Sequence, residues 1–520
     1  MQTLADWLTP AAAPSVPAPP GMPERDWIAE LAGQARAAAA RSAQPGPVLT
    51  PPLPHKLDAA SPGGAGPEGC GVFLGLLDLP DEQRQVRLYW APERDGHLCL
   101  LGAETGGARE VLQWLGSGLL ADGTERHCYV LDGDGSLGLL AGAGRTGAYA
   151  GPRETARGAR VLRRLAAETA GRLGAAAPAA PSLAADAAAP RARPPVPLVL
   201  VVSGWGRWLS GFRSGRLAWA EECLQDIARD GGTTAVSLLL AGDRDLAAAR
   251  FFGLVPNRCF LPAGSTPEAQ LSWPRLPPMD PVLGRALVQG RICGGRDAVA
   301  QLASMPERLP APVPPVERPF RIEALPRLVP VSALPAAAPA RTAGPGADPV
   351  IGVEGDELQP SVLPLRPGTV HLVLGGSGSG KSNLLGLLAE RLGADCDVRR
   401  PGAGCLPQDY WEQLPGAGPR TVLLVDDAHC LGAETHRRLG GLGADGAAAV
   451  LTAVPEANLL QQVPLALQAR GAPWGLVLSP RSPADGHFFG ARLEAGWAPP
   501  GRCYRVEHGR ITALQVALCS

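Results

Sequence analysis

The sequence predicts an α/β fold of two tandem modules, each a parallel sheet flanked by helices, with the first module degenerate. Three observations point there. Short, fully apolar runs alternate with helix-like stretches, as where Pro197–Val202 is followed by Leu217–Asp230; such runs suit strands buried on both faces of a parallel sheet. The same order of elements occurs twice, on either side of a Pro/Ala-rich break. In its second occurrence a short apolar strand, His371–Leu374, runs into Gly375-Gly-Ser-Gly-Ser-Gly-Lys-Ser382 and then into a helical stretch, Leu384–Arg391.

The order along the chain follows from composition and periodicity. Residues 1–50 read as a flexible Pro/Ala-rich lead-in with one helix over Asp26–Arg41. The first module, 51–308, has strands at Gln85–Trp90, His97–Gly102, His127–Leu131, Pro197–Val202 and Thr233–Leu240. Between them lie helices at Glu110–Leu119, Arg153–Arg172 and Leu217–Asp230, and a low-complexity insert at 174–195. Residues 309–349 read as a Pro/Ala-rich linker interrupted by a short apolar piece, Phe320–Leu328. The second module, 350–520, has strands at His371–Leu374, Thr421–Val425, Ala448–Ala453 and Gly475–Leu478, and an apolar tail, Ala513–Leu518.

At 520 residues the chain is too long for one core and suggests two to four domains. A net charge of −1 provides no global attraction to nucleic acid. The 11 cysteines are scattered without C-x-x-C pairs, which suits reduced thiols and indicates neither a zinc site nor a disulfide framework. The longest apolar runs are strand-sized, and Met1–Trp7 lacks a basic segment leading into an apolar one. The expectation is a cytoplasmic protein that meets a membrane through a partner.

The loop Gly375–Ser382 has the G-x-x-x-x-G-K-S spacing of a phosphate cradle, the Walker A pattern. Gly375, Gly376, Gly378 and Gly380, with Ser377 and Ser379 among them, let backbone N–H groups close around phosphate oxygens at φ values side chains resist. The helix beyond offers unpaired N–H groups and a favourable dipole end to the same charge. Lys381 reaches the β/γ-phosphates, Ser382 ligates Mg²⁺, and Asn383 completes the nucleotide-binding stretch. Downstream, Thr421–Val425 ends in Asp426-Asp427, a Walker B pattern. There Asp426 reads as a metal partner through water, and Asp427 as the base that polarises the attacking water, so that Asp427 and Lys381 form the catalytic pair. Taken singly, a Gly/Ser turn and a strand-end turn would be plain alternatives. Together and in this order they indicate ATP and Mg²⁺.

The first module carries the same frame without the chemistry. Where the loop should be stands Gly102-Ala-Glu-Thr-Gly-Gly-Ala-Arg109, with Ala108 in place of the lysine, Arg109 in place of the hydroxyl, and Glu104 adding negative charge. Its apolar strand ends in Ser203-Gly204 with no carboxylate. That module therefore reads as nucleotide-free, kept for architecture or partner contact.

These residues resemble the FtsK/SpoIIIE motor ATPases, and in pattern the C-terminal ATPase modules of the type VII secretion proteins of the EccC kind. The resemblance rests on Leu372–Ser382, Leu423–Ala428, Gly475–Ser479, Phe488–Gly490, Pro499–Arg502 and Leu514–Ala517 in the second module. In the first it rests on Pro51–Pro54, Gly75–Pro80, Gln83–Gln85, Tyr129–Asp132 and Pro278–Leu287. It implies RecA-like P-loop NTPase modules, ring assembly as a homo-oligomer or subunit of a larger translocase, a membrane-bound motor partner, and secreted protein or DNA as what is moved. Larger relatives carry membrane helices and a further motor module upstream, so the chain reads as the soluble half of a split system or as a partial gene product. The short stretch from Lys381 to Asp426 leaves little room for the strands that larger motors place there, and no winged-helix DNA-reading tail is seen.

Three functions remain in play: an ATP-binding module of a protein-export machine with slow hydrolysis in the second module alone, a DNA-translocating ATPase, and a non-hydrolysing ATP-dependent scaffold. A DNA channel needs basic pore loops, and Arg399-Arg400 and Arg437-Arg438 are the close basic pairs of the second module. His429 could sense phosphate or be polar surface. Arg258 could be an arginine finger or a structural ion pair. Trp205 and Trp208 could line a partner pocket or pack in a core.

Overall fold

A computed structural model describes residues 24–39, 50–59, 71–176, 194–214, 217–336, 347–393, 395–402, 404–493 and 498–519. The N-terminal helix spans Glu24–Ala39. Most of the expected lead-in and of the 174–195 insert lies outside the described residues.

The first sheet has ten strands: β1 (Val72–Leu79), β2 (Arg84–Trp90), β3 (Leu98–Gly102), β4 (His127–Asp132), β5 (Thr146–Ala150), β6 (Leu198–Ser203), β7 (Val236–Gly242), β8 (Asn257–Leu261), β9 (Arg285–Gln289) and β10 (Ala298–Leu302). Their order is β2-β1-β10-β9-β8-β3-β7-β6-β4-β5. The second has nine: β11 (Val350–Glu354), β12 (Gln359–Val362), β13 (Val370–Gly375), β14 (Asp397–Arg399), β15 (Thr421–Val425), β16 (Ala448–Ala453), β17 (Gly475–Leu478), β18 (Arg502–Glu507) and β19 (Arg510–Val516). Their order is β12-β11-β19-β18-β17-β13-β16-β15-β14. Read from the β2 and β12 ends, the two orders are the same, and the first sheet adds only β5 at the far edge.

The expected parallel sheets are present. Strands β8 through β5 run parallel in the first and β17 through β14 in the second. Each is extended on one side by antiparallel strands, of which sequence reading supplied β2, as Gln85–Trp90, and the end of β19, in the apolar tail Ala513–Leu518. Both faces of each parallel half are buried, as the apolar runs require. In β3, Leu98 and Leu100 join one core while Cys99 and Leu101 join the core on the opposite face. In β13, Val373 faces one core and Leu372 and Leu374 the other. Buried His371 stacks on Trp474 at 4.0 Å, and desolvation pushes its pKa down to about 4, so the imidazole is neutral at physiological pH.

Three helices matter for the site. Helix α1 (Ala108–Ala121) follows β3 and α3 (Lys381–Leu392) follows β13, each directly after the glycine-rich loop. Helix α2 (Thr155–Ala176) follows β5. Between Lys381 and Asp426 the second module has only β14 and a short helix, Pro407–Glu412; the first has β4, β5 and α2 in that place.

The described part of the stretch expected as linker is packed. Phe320 stacks on Tyr129 at 4.6 Å, Ile322 N–H donates to the Gly147 carbonyl, and Arg157 Nε donates to the Ile322 carbonyl. At Glu323 the chain changes modules: its N–H donates to the Asp356 carbonyl at 2.7 Å, and Arg160 of α2 pairs with Asp356 at 3.0 Å.

Candidate nucleotide site

Strand β13 ends at Gly375, whose neighbours in the sheet are β17 on one side and β16 on the other. The loop then turns through Gly380, which sits at φ 101° and caps α3; there a side chain would be strained. Lys381 is therefore the first residue of the helix, and its side chain folds back under the loop. Its Nζ donates to the Gly375 carbonyl at 2.9 Å and the Gly376 carbonyl at 3.2 Å, and lies 3.5 Å from Asp427 Oδ1.

Beside it, Ser382 Oγ donates to Asp426 Oδ2 at 2.6 Å. The other oxygen of Asp426 accepts from Thr452 Oγ1 at 2.6 Å and from the Asp427 N–H at 3.1 Å. Asp427 takes a left-handed backbone (φ 43°), and its N–H also reaches Thr452 Oγ1 at 2.9 Å. Lys381, Ser382, Asp426 and Asp427 thus converge. Thr452, which sequence reasoning missed, completes the group.

Asn383 does not join them. Its amide donates to the Ala517 carbonyl and accepts from Cys519 N–H, tying the C-terminal tail to α3. Gly376, Ser377, Gly378 and Ser379 line a cleft of about 430 Å³, with Ser479, Arg481, Ala498 and Pro500 opposite. The buried Ser379 Oγ has no hydrogen-bond partner. A buried hydroxyl left free in a glycine-rich loop, with an ammonium and a hydroxyl–carboxylate pair alongside, fits a phosphate and its cation.

The register shows what the first module lacks. Its loop also ends in a left-handed glycine, Gly107 (φ 99°), before α1. Pairing across the sheets sets Ser203 and Gly204 opposite the roles of Asp426 and Asp427, and Ala241 at the place of Thr452. Even the left-handed backbone survives, at φ 58° in Gly204. Arg109 at the hydroxyl position is neutralised by Glu104 at 2.6 Å. The cleft here is the larger of the two, about 660 Å³, but Glu104, Asp134, Asp243 and Asp245 line it against Arg109 and Arg207, an acidic excess that disfavours phosphate.

Trp205 and Trp208 are buried in the core against Phe212, with Trp205 also in the wall of the first module's cleft. Arg258 lies over the Phe252 ring and donates to the Phe252 carbonyl. His429 sits in the turn Ala428–Cys430 just after the paired carboxylates. Arg399 pairs with Asp397, Arg437 with Glu434, and Arg438 donates to the Leu414 carbonyl. Among the described residues no helix is long and apolar enough to cross a membrane.

No family model and no curated protein matches the sequence. Solved structures do. ATPases 2 and 3 of EssC from Geobacillus thermodenitrificans superpose with a TM-score of 0.63 at 15% identity, over 90% of this chain and 100% of that one. The fold is that of tandem type VII secretion ATPase domains. The cytoplasmic domain of the Thermomonospora curvata type VII secretion ATPase EccC gives 0.57 at 20% identity, over 93% of this chain and 66% of that one. ATPases 2 and 3 of the same EccC, in complex with a signal sequence peptide, give 0.56 at 20% identity, covering 91% and 97%. The resemblance to EccC-like modules read from the motifs therefore holds at the level of fold across most of the chain.

Proposed function

We propose that the chain is an ATP-binding module of a protein-translocation machine of the type VII secretion kind, with its one nucleotide site at Gly375–Ser382. The observation that carries this is the convergence of Lys381, Ser382, Asp426, Asp427 and Thr452 at the end of one sheet, when every counterpart in the first module has been replaced. Mg²⁺ would be held by Ser382 Oγ and, through water, by Asp426, and would offset charge on the phosphate oxygens. Lys381 exchanges the carbonyls of Gly375 and Gly376 for phosphate oxygens. Thr452 keeps Asp426 aimed. Asp427 accepts the proton of the attacking water; its short, solvent-facing side chain and its contact with Lys381 suit slow turnover. The second module works as part of a ring or larger translocase with a membrane-bound partner. A secreted protein is the favoured cargo, since one structural relative holds a signal sequence peptide, and three of the four arginines in the basic pairs, Arg399, Arg437 and Arg438, already have partners within the module.

The test is ATP binding and turnover, with and without DNA, for the wild type, Lys381→Ala and Asp427→Asn. Loss of binding in Lys381→Ala, with slow turnover that DNA does not stimulate and that Asp427→Asn abolishes, is the expected outcome. Wild-type affinity in Lys381→Ala would overturn the site. DNA-stimulated turnover would replace export by DNA translocation, and binding without turnover would leave the scaffold reading.

A further inference from the structure

Strand β17 flanks the loop strand β13 on the side away from β16, with Leu478 opposite Gly375. The chain leaves β17 through Ser479 and Pro480, and Arg481 then stands on the rim of the loop cleft. Its backbone is fixed there, because its N–H and that of Ser482 both donate to Asp485 Oδ2, at 2.8 and 3.1 Å, and Ser482 caps the turn that follows. The guanidinium lies across the loop. Nη2 donates to the Ser377 carbonyl at 3.3 Å, and a Cβ on Gly376 would stand 3.5 Å from Arg481 Cζ. Among the described residues no carboxylate lies within ion-pairing distance of it. It is an exposed cation with one bond to a loop carbonyl and further donors on the cleft, beside the Gly375 and Gly376 carbonyls that Lys381 holds.

The duplicated fold supplies an internal comparison. In the first module Leu261 stands opposite Gly102 as Leu478 stands opposite Gly375, so the stretches that leave the two strands, Pro262–Thr266 and Ser479–Ser482, pass their loops at the same place. The module that has lost the loop lysine has no cation in this stretch either, and Gly264 there is seated against Thr105 of its own loop. The two cations are present together or absent together.

We infer that Arg481 is a second phosphate-binding cation of the loop, acting in cis on the same terminal phosphates as Lys381. This rests on the nucleotide site proposed above. The late loop and helix start cradle the α/β-phosphates and the lysine reaches the β/γ pair; Arg481 lies at the early loop, on the carbonyl next to those Lys381 holds, and so on the terminal-phosphate side. Its planar fork binds phosphate with two donors, which lysine cannot reproduce.

The experiment measures dissociation constants for Mg²⁺ complexes of fluorescent ATP and ADP analogues on the full chain, for wild type, Arg481→Ala, Arg481→Lys and Lys381→Ala. Unfolding midpoints without nucleotide control for folding. Arg481→Ala is expected to weaken ATP about tenfold or more and ADP under about threefold, with Arg481→Lys in between and midpoints unchanged. Equal weakening of ATP and ADP would make Arg481 a brace for the loop and overturn the inference, as would unchanged affinities. If only Lys381→Ala loses ATP, the site stands and the role of Arg481 falls. If Lys381→Ala binds normally, the site reading fails and this inference with it.

Discussion

Thr452 shows how much a single hydroxyl can decide. It donates to Asp426 Oδ1 while accepting from the Asp427 N–H, so one side chain orients the first carboxylate and holds the backbone of the second. Thr452→Val keeps the shape and the strand preference but leaves Asp426 Oδ1 with the Asp427 N–H alone. Losing one such bond costs about 1 kcal/mol, so Mg²⁺-ATP should bind roughly fivefold more weakly, while ATP in the presence of a chelator binds as in the wild type. Equal loss in both conditions would show that Thr452 supports the loop rather than the metal partner. The residues whose spacing is local, from Gly375 to Ser382 and then Asp426-Asp427, were legible in the sequence. Thr452 was not, because a threonine in an apolar strand reads as a strand former, and only the register of β15 on β16 brings it to Asp426. Asn383 was legible as part of the motif, yet its side chain holds the tail, a contact over 134 positions that spacing cannot reveal.

At the scale of elements, each module clasps an extended segment with the same three residues. Arg502 Nε donates to Gln515 Oε1 at 2.9 Å and its Nη2 to the carbonyls of Leu325 and Pro326; Arg285 makes the matching bonds to Gln301, Leu53 and Pro54. Gly501 and Gly284, at φ 79° and 77°, let the chain turn into these arginines, and each donates its N–H to a carbonyl of its own loop, Ser379 or Gly106. The physical reason lies in the proline-rich sequence of the clasped segments. Proline has no N–H, so such a stretch presents mainly carbonyls and a guanidinium is the natural partner. Burial lowers the pKa of Arg502, which pairs with no carboxylate among the described residues. Arg502→Ala should destabilise the second module by about 2–4 kcal/mol, read as a lower urea midpoint with an unchanged slope; an unaltered midpoint would refute the clasp. Sequence reading found β3, β4, β6, β7, β13, β15, β16 and β17 because they are continuous apolar runs, and missed β5 and β8, which Gly147 and the polar start Asn257-Arg258 interrupt. It did not supply β12 and β18, whose half-exposed residues carry no such run, nor β11, with only five residues, nor β14, with three.

At the scale of the whole molecule, the duplicated strand order and the packed 313–336 segment redraw where one module ends. Val313 N–H bonds the Leu120 carbonyl and Ile322 is buried in the first core, whereas Val329 and Leu334 are buried in the second and Leu518 N–H bonds the Val329 carbonyl. A shortened chain beginning at Val350 loses those two side chains and the clasp of Arg502, roughly 4–8 kcal/mol against a usual domain stability of about 5–15. It should fail to unfold cooperatively, and one beginning at Glu323 should do so normally; equal behaviour would place the boundary elsewhere. The two-module plan was legible from the repeated order of strand, loop and helix, and the missing β5 and α2 were foreshadowed by the short stretch from Lys381 to Asp426. That omission has a consequence for solubility. The first sheet closes its parallel edge with β5 and the long helix α2, but the second stops at β14, a template on which another chain could pair. Brevity and charge guard it. Asp397 and Arg399 sit at the two ends of three residues and pair with each other at 2.6 Å, so an incoming strand would have to break that pair to find very little backbone to hold.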